Sequence, residues 1–196
     1  MSSKSDRTRS RILHTTCELL SKGAGAPSRM SDIAKGAGIS RQALYLHFPN
    51  RADLLVAAAR YLDEVNDVDA GLAESRAAHG VARLDAYIAA WGAYIPKVYG
   101  MARALMAMKD TDDEAAAAWR DRMGAMRHGC EAAVRSMEAE GQLREGYSIE
   151  AATDLLFNLI SIPSWESMVQ DQCWSEADWL EWTTRAARDM LVAPGT

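Results

Sequence analysis

The chain has 196 residues, of which 48% are hydrophobic and 25% are charged, and its net charge is -5. These proportions are typical of a folded globular protein and exclude a disordered chain. The most apolar run, residues 155–162, is broken by Asn158 and Ser161 and is too short to span a membrane, and the N-terminus lacks the apolar centre of a signal peptide. We therefore expect a soluble cytoplasmic protein with no membrane segment.

Charge is divided unevenly along the chain. Residues 1–60 contain ten Lys or Arg and four Asp or Glu, a net charge of +6, whereas residues 61–196 contain twelve and 23, a net charge of -11. This segregation confines the attraction for an anionic partner such as DNA to the N-terminal part of the chain.

Motifs for catalysis or metal binding do not occur in the sequence. The three cysteines, Cys17, Cys130 and Cys173, are odd in number, and neither they nor the four histidines share a metal-ligand spacing. No nucleophile motif, phosphate-binding loop or HExxH signature is present. We therefore predict no enzyme activity, no metal and no cofactor, and we expect the cysteines to be buried space-filling residues.

A first helix is predicted over residues 6–22, where apolar side chains recur at helical spacing. Basic residues from Lys4 to Arg11, Arg9 among them, precede and open this helix, and the leading ones are expected to form a loose arm. Such an arm can follow DNA phosphates or enter the minor groove, or it can remain a solvated tail. The Gly- and Pro-containing run at residues 23–27 ends the helix.

Residues 28–48 predict two short helices that cross at a tight turn. Ile33 and Ala37 lie four residues apart, as do Leu44 and Phe48, so each pair shares one face of its own helix. Two short helices with such faces are typical of a helix-turn-helix, although the same pattern also occurs in ordinary helical bundles.

The segment between these two helices suits a sharp change of direction. Gly38 can adopt a positive φ, Ile39 can fill the corner, and Ser40 can cap the next helix through its side-chain oxygen. Arg41 and Gln42 follow in the first turn of that helix. A guanidinium and an amide make paired hydrogen bonds to guanine and adenine edges, so this surface is a candidate for DNA recognition.

The end of the second short helix carries a more specific pattern. The run LYLHF at residues 44–48, followed by PNR at residues 49–51 and by leucines at positions 54 and 55, resembles the DNA-binding domain of the TetR (tetracycline-repressor-like) family. The resemblance covers residues 11–55. It implies an all-α fold of about nine helices, with an N-terminal three-helix helix-turn-helix DNA-binding domain and a C-terminal helical domain for ligand binding and dimerisation.

The resemblance also implies roles for individual residues at the DNA surface. The first three residues of the second short helix would face base edges, and Tyr45, His47 and Arg51 would contact phosphates. Tyr45 and His47 can instead pack the rim of the domain, and Arg51 can be a solvated charge at a helix start. The predicted DNA-contacting residues are Arg29, Ser31, Ser40, Arg41, Gln42, Ala43, Tyr45, His47 and Arg51.

A fourth helix is predicted from Asn50, its cap, to about Val68, and Asp53 completes a capping-box arrangement. The resemblance makes this helix the connection between two domains, able to carry a ligand-driven movement to the DNA-binding domain. We predict a DNA-binding domain at residues 1–49, a connecting helix and linker at residues 50–80, and a ligand-binding and dimerisation domain at residues 81–196.

The middle of the chain predicts three helices rich in Met and aromatic residues, the first of which begins near Val81. Pro96 predicts a break before a short helix at residues 99–108, and Thr111 with Glu114 fits a capping box for a long helix ended by Gly141. Met and aromatic side chains adapt to apolar ligands, so this region is a candidate effector pocket, although each residue can equally be bundle core. The predicted lining residues are Trp91, Tyr94, Tyr99, Met106, Trp119, Met123 and Met126.

The last part of the chain predicts two more helices. One covers residues 148–168 and is bent at Pro163. The other starts at Ser175, whose side chain is its predicted cap, with Asp178 three residues further on. In the family that the chain resembles, the last two helices pair with their copies in a dimer, whereas packing within one chain is the alternative for their tryptophans. The predicted interface residues are Leu156, Ile160, Trp165, Trp179, Trp182 and Ala186.

Taken with the resemblance, these patterns predict a ligand-responsive transcriptional regulator. Its expected partners are double-stranded DNA with a palindromic operator, a second copy of the chain, and a small apolar or aromatic effector that releases a repressor from DNA. The alternative is a helical small-molecule-binding or scaffold protein in which the helix-turn-helix is only structural.

Overall fold

The computed structural model describes residues 4–22 and 29–195, and within these ranges the regular structure is helical apart from an isolated bridge between Leu143 and Val192. This confirms the all-α prediction. No helix in the described part of the chain is long and apolar enough to cross a membrane. The elements are α1 (Lys4–Lys22), α2 (Met30–Gly36), α3 (Arg41–His47), α4 (Arg51–Val65), α5 (Val68–Gly71), α6 (Ala73–Ala77), α7 (Gly80–Met108), α8 (Asp113–Ala139), α9 (Ile149–Leu159), α10 (Ile162–Trp165), a π-helical segment (Glu166–Asp171) and α11 (Glu176–Leu191).

The described residues form two compact units. The first contains the residues up to Asn66 together with Lys97–Met123, and the second contains Asp67–Pro96 together with the residues from Gly124 onward. The long helices α7 and α8 therefore contribute residues to both units. The domain boundaries that the sequence suggests at residues 50 and 81 stay a prediction.

The first unit is built on one apolar core. Helix α1 packs against α2 and α4, and α2 packs against α3. The two predicted pairs that face this core, Ile33 with Ala37 and Leu44 with Phe48, are all at most 2% exposed, which confirms them. Parts of α7 and α8 complete the core, through buried side chains that include Met101, Leu105, Met108, Ala115 and Ala118.

The turn between α2 and α3 has the predicted construction. Gly38 adopts a φ of +65°, a conformation that costs little only without a side chain. The N–H of Ile39 donates to the carbonyl of Ala34 at 3.0 Å, and the Ser40 side chain accepts from the N–H of Ala43 at 3.0 Å. The cap predicted at Ser40 is therefore confirmed.

The starts of α1 and α2 differ from the predictions. Helix α1 already begins at Lys4, so the basic residues from there to Arg11 are helical and do not form a loose arm. Helix α2 begins at Met30, and Arg29 stands at its cap position without a capping side-chain hydrogen bond. The predicted cap at Ser28 and the predicted loop at residues 23–27 lie outside the described residues.

The sequence predicted a helix break at Pro96, and this prediction is wrong. Helix α7 is continuous from Gly80 to Met108 with Pro96 inside it. A proline in a helix interior lacks the N–H that would donate to the fourth residue before it, a loss of about 3 kcal/mol. The flanking Ile95 and Val98 are buried, at 0% and 8% exposed, and the burial of this apolar face offsets that cost.

The cap of α8 lies one residue later than predicted. Asp112, not Thr111, accepts hydrogen bonds from the N–H groups of Glu114 at 3.0 Å and Ala115 at 3.1 Å. Thr111 instead donates its hydroxyl to the carbonyl of Met108 at 3.3 Å. An ionised carboxylate is a strong acceptor for the free N–H groups of a helix start, which favours the aspartate.

The long bent helix predicted at residues 148–168 is two helices and a π-helical segment. Helix α9 ends at Leu159, and α10 starts after Ser161, whose side chain accepts from the N–H of Ser164 at 3.2 Å. Pro163 lies in the first turn of α10, where a missing N–H costs nothing, so it helps to start a helix instead of bending one. The predicted cap of the last helix is confirmed, because Ser175 accepts from the N–H of Asp178 at 3.0 Å.

In the second unit, α7 and α8 approach closely at Tyr87 and Gly129. The Tyr87 hydroxyl donates to the carbonyl of Met126 at 2.8 Å, and the ring is 5% exposed. A Cβ atom on Gly129 would lie 2.4 Å from that hydroxyl oxygen. Gly129 is therefore required by packing, although glycine is a poor helix former.

We expect Gly129→Ala to lower the free energy of unfolding by about 1–3 kcal/mol, because the buried Tyr87 ring has to move and its hydrogen bond is lost. Urea denaturation followed by circular dichroism measures this change. Gly124→Ala is the matched control in the same helix, since no atom lies within 4 Å of its added Cβ. It should stabilise the protein by about 0.5–1 kcal/mol. Equal effects of the two substitutions would contradict the packing role.

Candidate nucleic-acid interface

Helix α3 is fixed in rotation by Leu44, which is 0% exposed in the core of the first unit. Successive residues of an α-helix lie about 100° apart, so Gln42 and Leu46 are both about 160° from Leu44. These two residues form the outermost line of α3, and both are exposed. Gln42, which the sequence assigned to base contacts, therefore lies on the part of α3 that is most accessible to a groove of DNA.

Arg41 and Tyr45 occupy one flank of α3. The guanidinium of Arg41 donates to the Tyr45 hydroxyl at 3.4 Å and lies 5.6 Å from the centroid of the ring. The hydrogen bond to Tyr45 raises the pKa of Arg41 above its ordinary value, so this cation keeps its charge. Both side chains are exposed, and the contact orients the guanidinium along the helix surface.

Ala43 and His47 occupy the opposite flank of α3 and are half-buried. The carbonyl of His47 accepts a hydrogen bond from Arg9 of α1 at 3.3 Å, and the same guanidinium lies 4.3 Å from the centroid of the Phe48 ring. Arg9 therefore covers the end of α3 with a charge that suits the carbonyl end of a helix. The sequence did not indicate this role, because Arg9 and His47 are 38 positions apart.

The other predicted DNA-contacting residues near α2 and α3 are accessible. Arg29 and Ser31 lie at the start of α2 with exposed side chains, and Ser40 is exposed although its side-chain oxygen caps α3. Their contacts with DNA stay a prediction. Together with Gln42, Arg41 and Tyr45, they lie on the α2–α3 part of the first unit.

Arg51 differs from both predictions made for it. Its side chain is only 13% exposed, and Nη1 lies 2.5 Å from Asp112 and 3.2 Å from Glu114. The guanidinium thus connects the start of α4 to the start of α8 and is neither a solvated charge nor directed outward to a phosphate. Burial would raise the pKa of Asp112, but the hydrogen bonds from the Ala115 N–H and from Arg51 outweigh it and lower that pKa.

Two more ion pairs join α4 to α8 within the first unit. Arg60 binds Asp121 at 2.5 Å, and Asp63 binds Arg122. With Arg51, they attach α4 to the first half of α8 at both ends. The helix that follows the DNA-contacting segment is therefore part of the same compact unit as residues 113–122.

The matched family and relatives agree with this geometry. The model of the family described as "Bacterial regulatory proteins, tetR family" matches residues 12–58, which are α1 to α4. Residues 12–58 therefore form a TetR-like helix-turn-helix segment. Over 64 residues it is 33% identical to the nucleoid occlusion factor SlmA of Marinomonas sp. (strain MWYL1), an alignment that covers 33% of this chain and 32% of that protein.

Another relative is the HTH-type transcriptional regulator TtgR of Pseudomonas putida, 35% identical over 72 residues that cover 37% of this chain and 34% of that protein. The match spans about a third of the length of these curated relatives. The crystal structure of the transcriptional regulator FadR from Bacillus subtilis in complex with stearoyl-CoA has a TM-score of 0.73 and 15% identity, covering 90% of this chain and 96% of that one. The fold shared with that structure thus extends well beyond the N-terminal residues that the family model matches.

The structure divides the predicted effector-pocket residues between the two units. Tyr99, Met106, Trp119 and Met123 belong to the first unit, and Trp91, Tyr94 and Met126 belong to the second. A cleft of about 460 Å³ lies along α1 and α4, but none of these residues lines it.

Within the second unit, the Trp91 and Tyr94 rings are 5.8 Å apart, and Trp91 donates to the carbonyl of Ile160 at 2.7 Å. This hydrogen bond satisfies a carbonyl left free where α9 ends, so Trp91 has a structural partner. Met126 is 3% exposed and accepts the Tyr87 hydroxyl through its carbonyl, which is typical of core. Effector binding by the seven residues stays a prediction.

Four of the predicted dimer-interface residues are interior. Leu156, Ile160, Trp165 and Trp179 are at most 2% exposed within a single chain, so the prediction that they form an interface surface is wrong. Helical spacing identified a face that is covered, but the covering elements belong to the same chain. Trp182 is 49% exposed and Ala186 is also exposed, while Leu155 of α9 is 37% exposed and was not predicted.

We expect Arg51→Gln to lower the free energy of unfolding by about 2 kcal/mol at pH 7, because Asp112 and Glu114 lose their shared cation in a partly buried site. Because the folded-state pKa of Asp112 is lowered, its stabilising effect is present above its unfolded-state pKa and is lost as the pH falls through the folded value. The difference between wild type and Arg51→Gln should therefore shrink below about pH 4.

Urea denaturation at pH 7 and at steps down to pH 3 measures this change. Arg135→Gln is the control, because Arg135 forms an exposed ion pair with Glu131 one turn away. This substitution should lower the free energy of unfolding by less than about 0.5 kcal/mol. An Arg51 variant that unfolds like the Arg135 variant would show that Arg51 has no such role.

Proposed function

We propose that this TetR-like chain is a DNA-binding transcriptional regulator that binds a palindromic operator as a homodimer and responds to a small-molecule effector. The observation that carries the proposal is the exposed surface of α3, where Arg41 and Gln42 project from a helix held by a buried Leu44. This surface belongs to the part of the chain that carries a net charge of +6, whereas the remainder carries -11. The negative charge of duplex DNA therefore favours its approach to the N-terminal part of the chain.

The residues of α3 divide into base contacts and backbone contacts. Gln42 suits a bidentate contact with adenine, and Arg41 suits guanine O6 and N7 once its guanidinium leaves the Tyr45 ring. Tyr45 and His47 lie on the two flanks, where the phosphates on either side of a groove would lie. Arg29, Ser31 and Ser40 extend the backbone contacts, and Arg51 is withdrawn from this set because two carboxylates hold it.

Dimerisation places two copies of α3 in successive major grooves, about 34–36 Å apart. In TetR-like proteins the last two long helices provide the interface, and here α9 and α11 pack on each other within one chain. Leu155, Trp182 and Ala186 are the exposed apolar side chains on these helices that a second copy would cover. An exposed tryptophan is a frequent anchor of protein interfaces.

An effector would act through the attachment of α4 to α8. A small molecule shifts DNA affinity only by its different affinity for the DNA-binding and non-binding conformations. The ion pairs of Arg51, Arg60 and Arg122 make α4 move with the first half of α8, so a ligand that displaces α8 would displace α3 as well. FadR bound to stearoyl-CoA is a precedent for a ligand with a long apolar chain in this fold. We expect release of a repressor from its operator.

The test of DNA recognition is a selection from random-sequence DNA with the full chain, followed by affinity measurements on the selected operator. Arg41→Ala and Gln42→Ala should each lower affinity by about tenfold or more, since each removes a base contact from both half-sites. Arg135→Ala removes the same charge from an exposed position on α8 and should bind like wild type. Selection of no preferred sequence would favour the alternative, a helical ligand-binding or scaffold protein.

The test of dimerisation is Trp182→Glu, which should convert the dimer to a monomer because it replaces the apolar anchor by a carboxylate that would have to lose its water in the interface. Size-exclusion chromatography with light scattering gives the mass. Val65→Glu is the control, because Val65 is 59% exposed and belongs to α4, which is not one of the helices of the proposed interface. A dimer that survives Trp182→Glu unchanged would place the interface elsewhere.

A further inference from the structure

Leu46 is the most exposed large hydrophobic side chain in the described part of the chain, at 84%. It lies in α3, the helix proposed to read DNA, and not on a distant surface. A single exposed leucine is common on protein surfaces, but this one gives almost no stabilisation by burial and lies on the helix proposed to enter a groove of DNA, where a contact outside the chain would bury it.

The geometry of α3 places Leu46 beside the residue proposed to contact bases. Gln42 and Leu46 are one turn apart on the outermost line of the helix, about 6 Å along its axis. Ala43, the third residue predicted to face base edges, is half-buried on the flank with His47. Leu46 therefore reaches further from the core than Ala43 does.

The chemistry of the major groove limits what an apolar side chain can contact there. Base edges in that groove present nitrogen and oxygen donors and acceptors, and the one apolar group is the C5-methyl of thymine. We propose that Leu46 contacts a thymine C5-methyl in each half-site and so specifies an A·T pair within about two base pairs of the base bound by Gln42. This inference rests on the proposed function.

The polar surroundings of Leu46 favour DNA over a protein partner. Arg41, Gln42 and Tyr45 are exposed on the same short helix. A protein that covered Leu46 would also have to cover a guanidinium and an amide, which interfaces tolerate only with matching groups. A duplex supplies both the hydrogen-bonding edges and the methyl group.

The experiment replaces each thymine of the selected operator, one symmetric pair at a time, by deoxyuridine, which lacks only the C5-methyl group. One replacement should weaken wild-type binding by about fourfold per half-site, the effect of one buried methyl group. Leu46→Ala should bind the unmodified operator more weakly and should be indifferent to that same replacement. Since Leu46 has almost no intramolecular contact area, Leu46→Ala should fold normally.

Val65→Ala is the matched control, because it shortens another exposed aliphatic side chain of the same unit. It should keep the wild-type response to deoxyuridine. The Leu46 inference is overturned if wild type and Leu46→Ala respond alike to every replacement, or if the selected half-site has no A·T pair, while the proposed function stands. If wild type selects no sequence at all, both fail.

Discussion

The burial of Leu44 is the constraint on which the candidate DNA-contacting surface depends. This side chain is fully enclosed by the core of the first unit, and an α-helix with one buried residue per turn has only one possible rotation. That rotation puts Gln42 and Leu46 outermost, Arg41 and Tyr45 on one flank, and Ala43 and His47 on the other. The chemistry of the surface follows from which residue occupies each of these positions.

The features that the sequence predicted correctly are local. Gly38 and the caps at Ser40, Asn50 and Ser175 depend on residues within three or four positions, and in each cap a side-chain oxygen accepts an N–H as expected. Capping energies of about 1 kcal/mol are large enough to decide where a short helix starts. The helix boundaries and the turn of the helix-turn-helix could therefore be predicted from neighbouring residues alone.

The predictions that failed required knowledge of tertiary packing. Pro96 would end a helix in isolation, but the burial of the neighbouring Ile95 and Val98 keeps α7 continuous. Trp179 is on an apolar stripe, yet a stripe does not reveal whether the same chain or a second copy covers it, and here the same chain does. Arg51 has its partners about 60 positions away, beyond the reach of any motif. The exposure of a side chain was thus predictable where helical spacing governs it and not where distant segments do.

The position of Arg51 also bears on how a ligand could control DNA binding. A surface arginine that bound phosphate would add affinity to DNA but would leave α4 independent of α8. In its observed place, the guanidinium lies between Asp112 and Glu114, and its removal would leave two partly buried carboxylates uncompensated. With the pairs of Arg60 and Arg122, this arrangement makes it costly for α4 to move without the first half of α8. Helix α4 is therefore coupled to the first half of α8, and in the proposed function a displacement of α8 would reach α3 through these ion pairs. Arg51 contributes to this coupling because two carboxylates hold it, where the sequence had suggested a DNA phosphate.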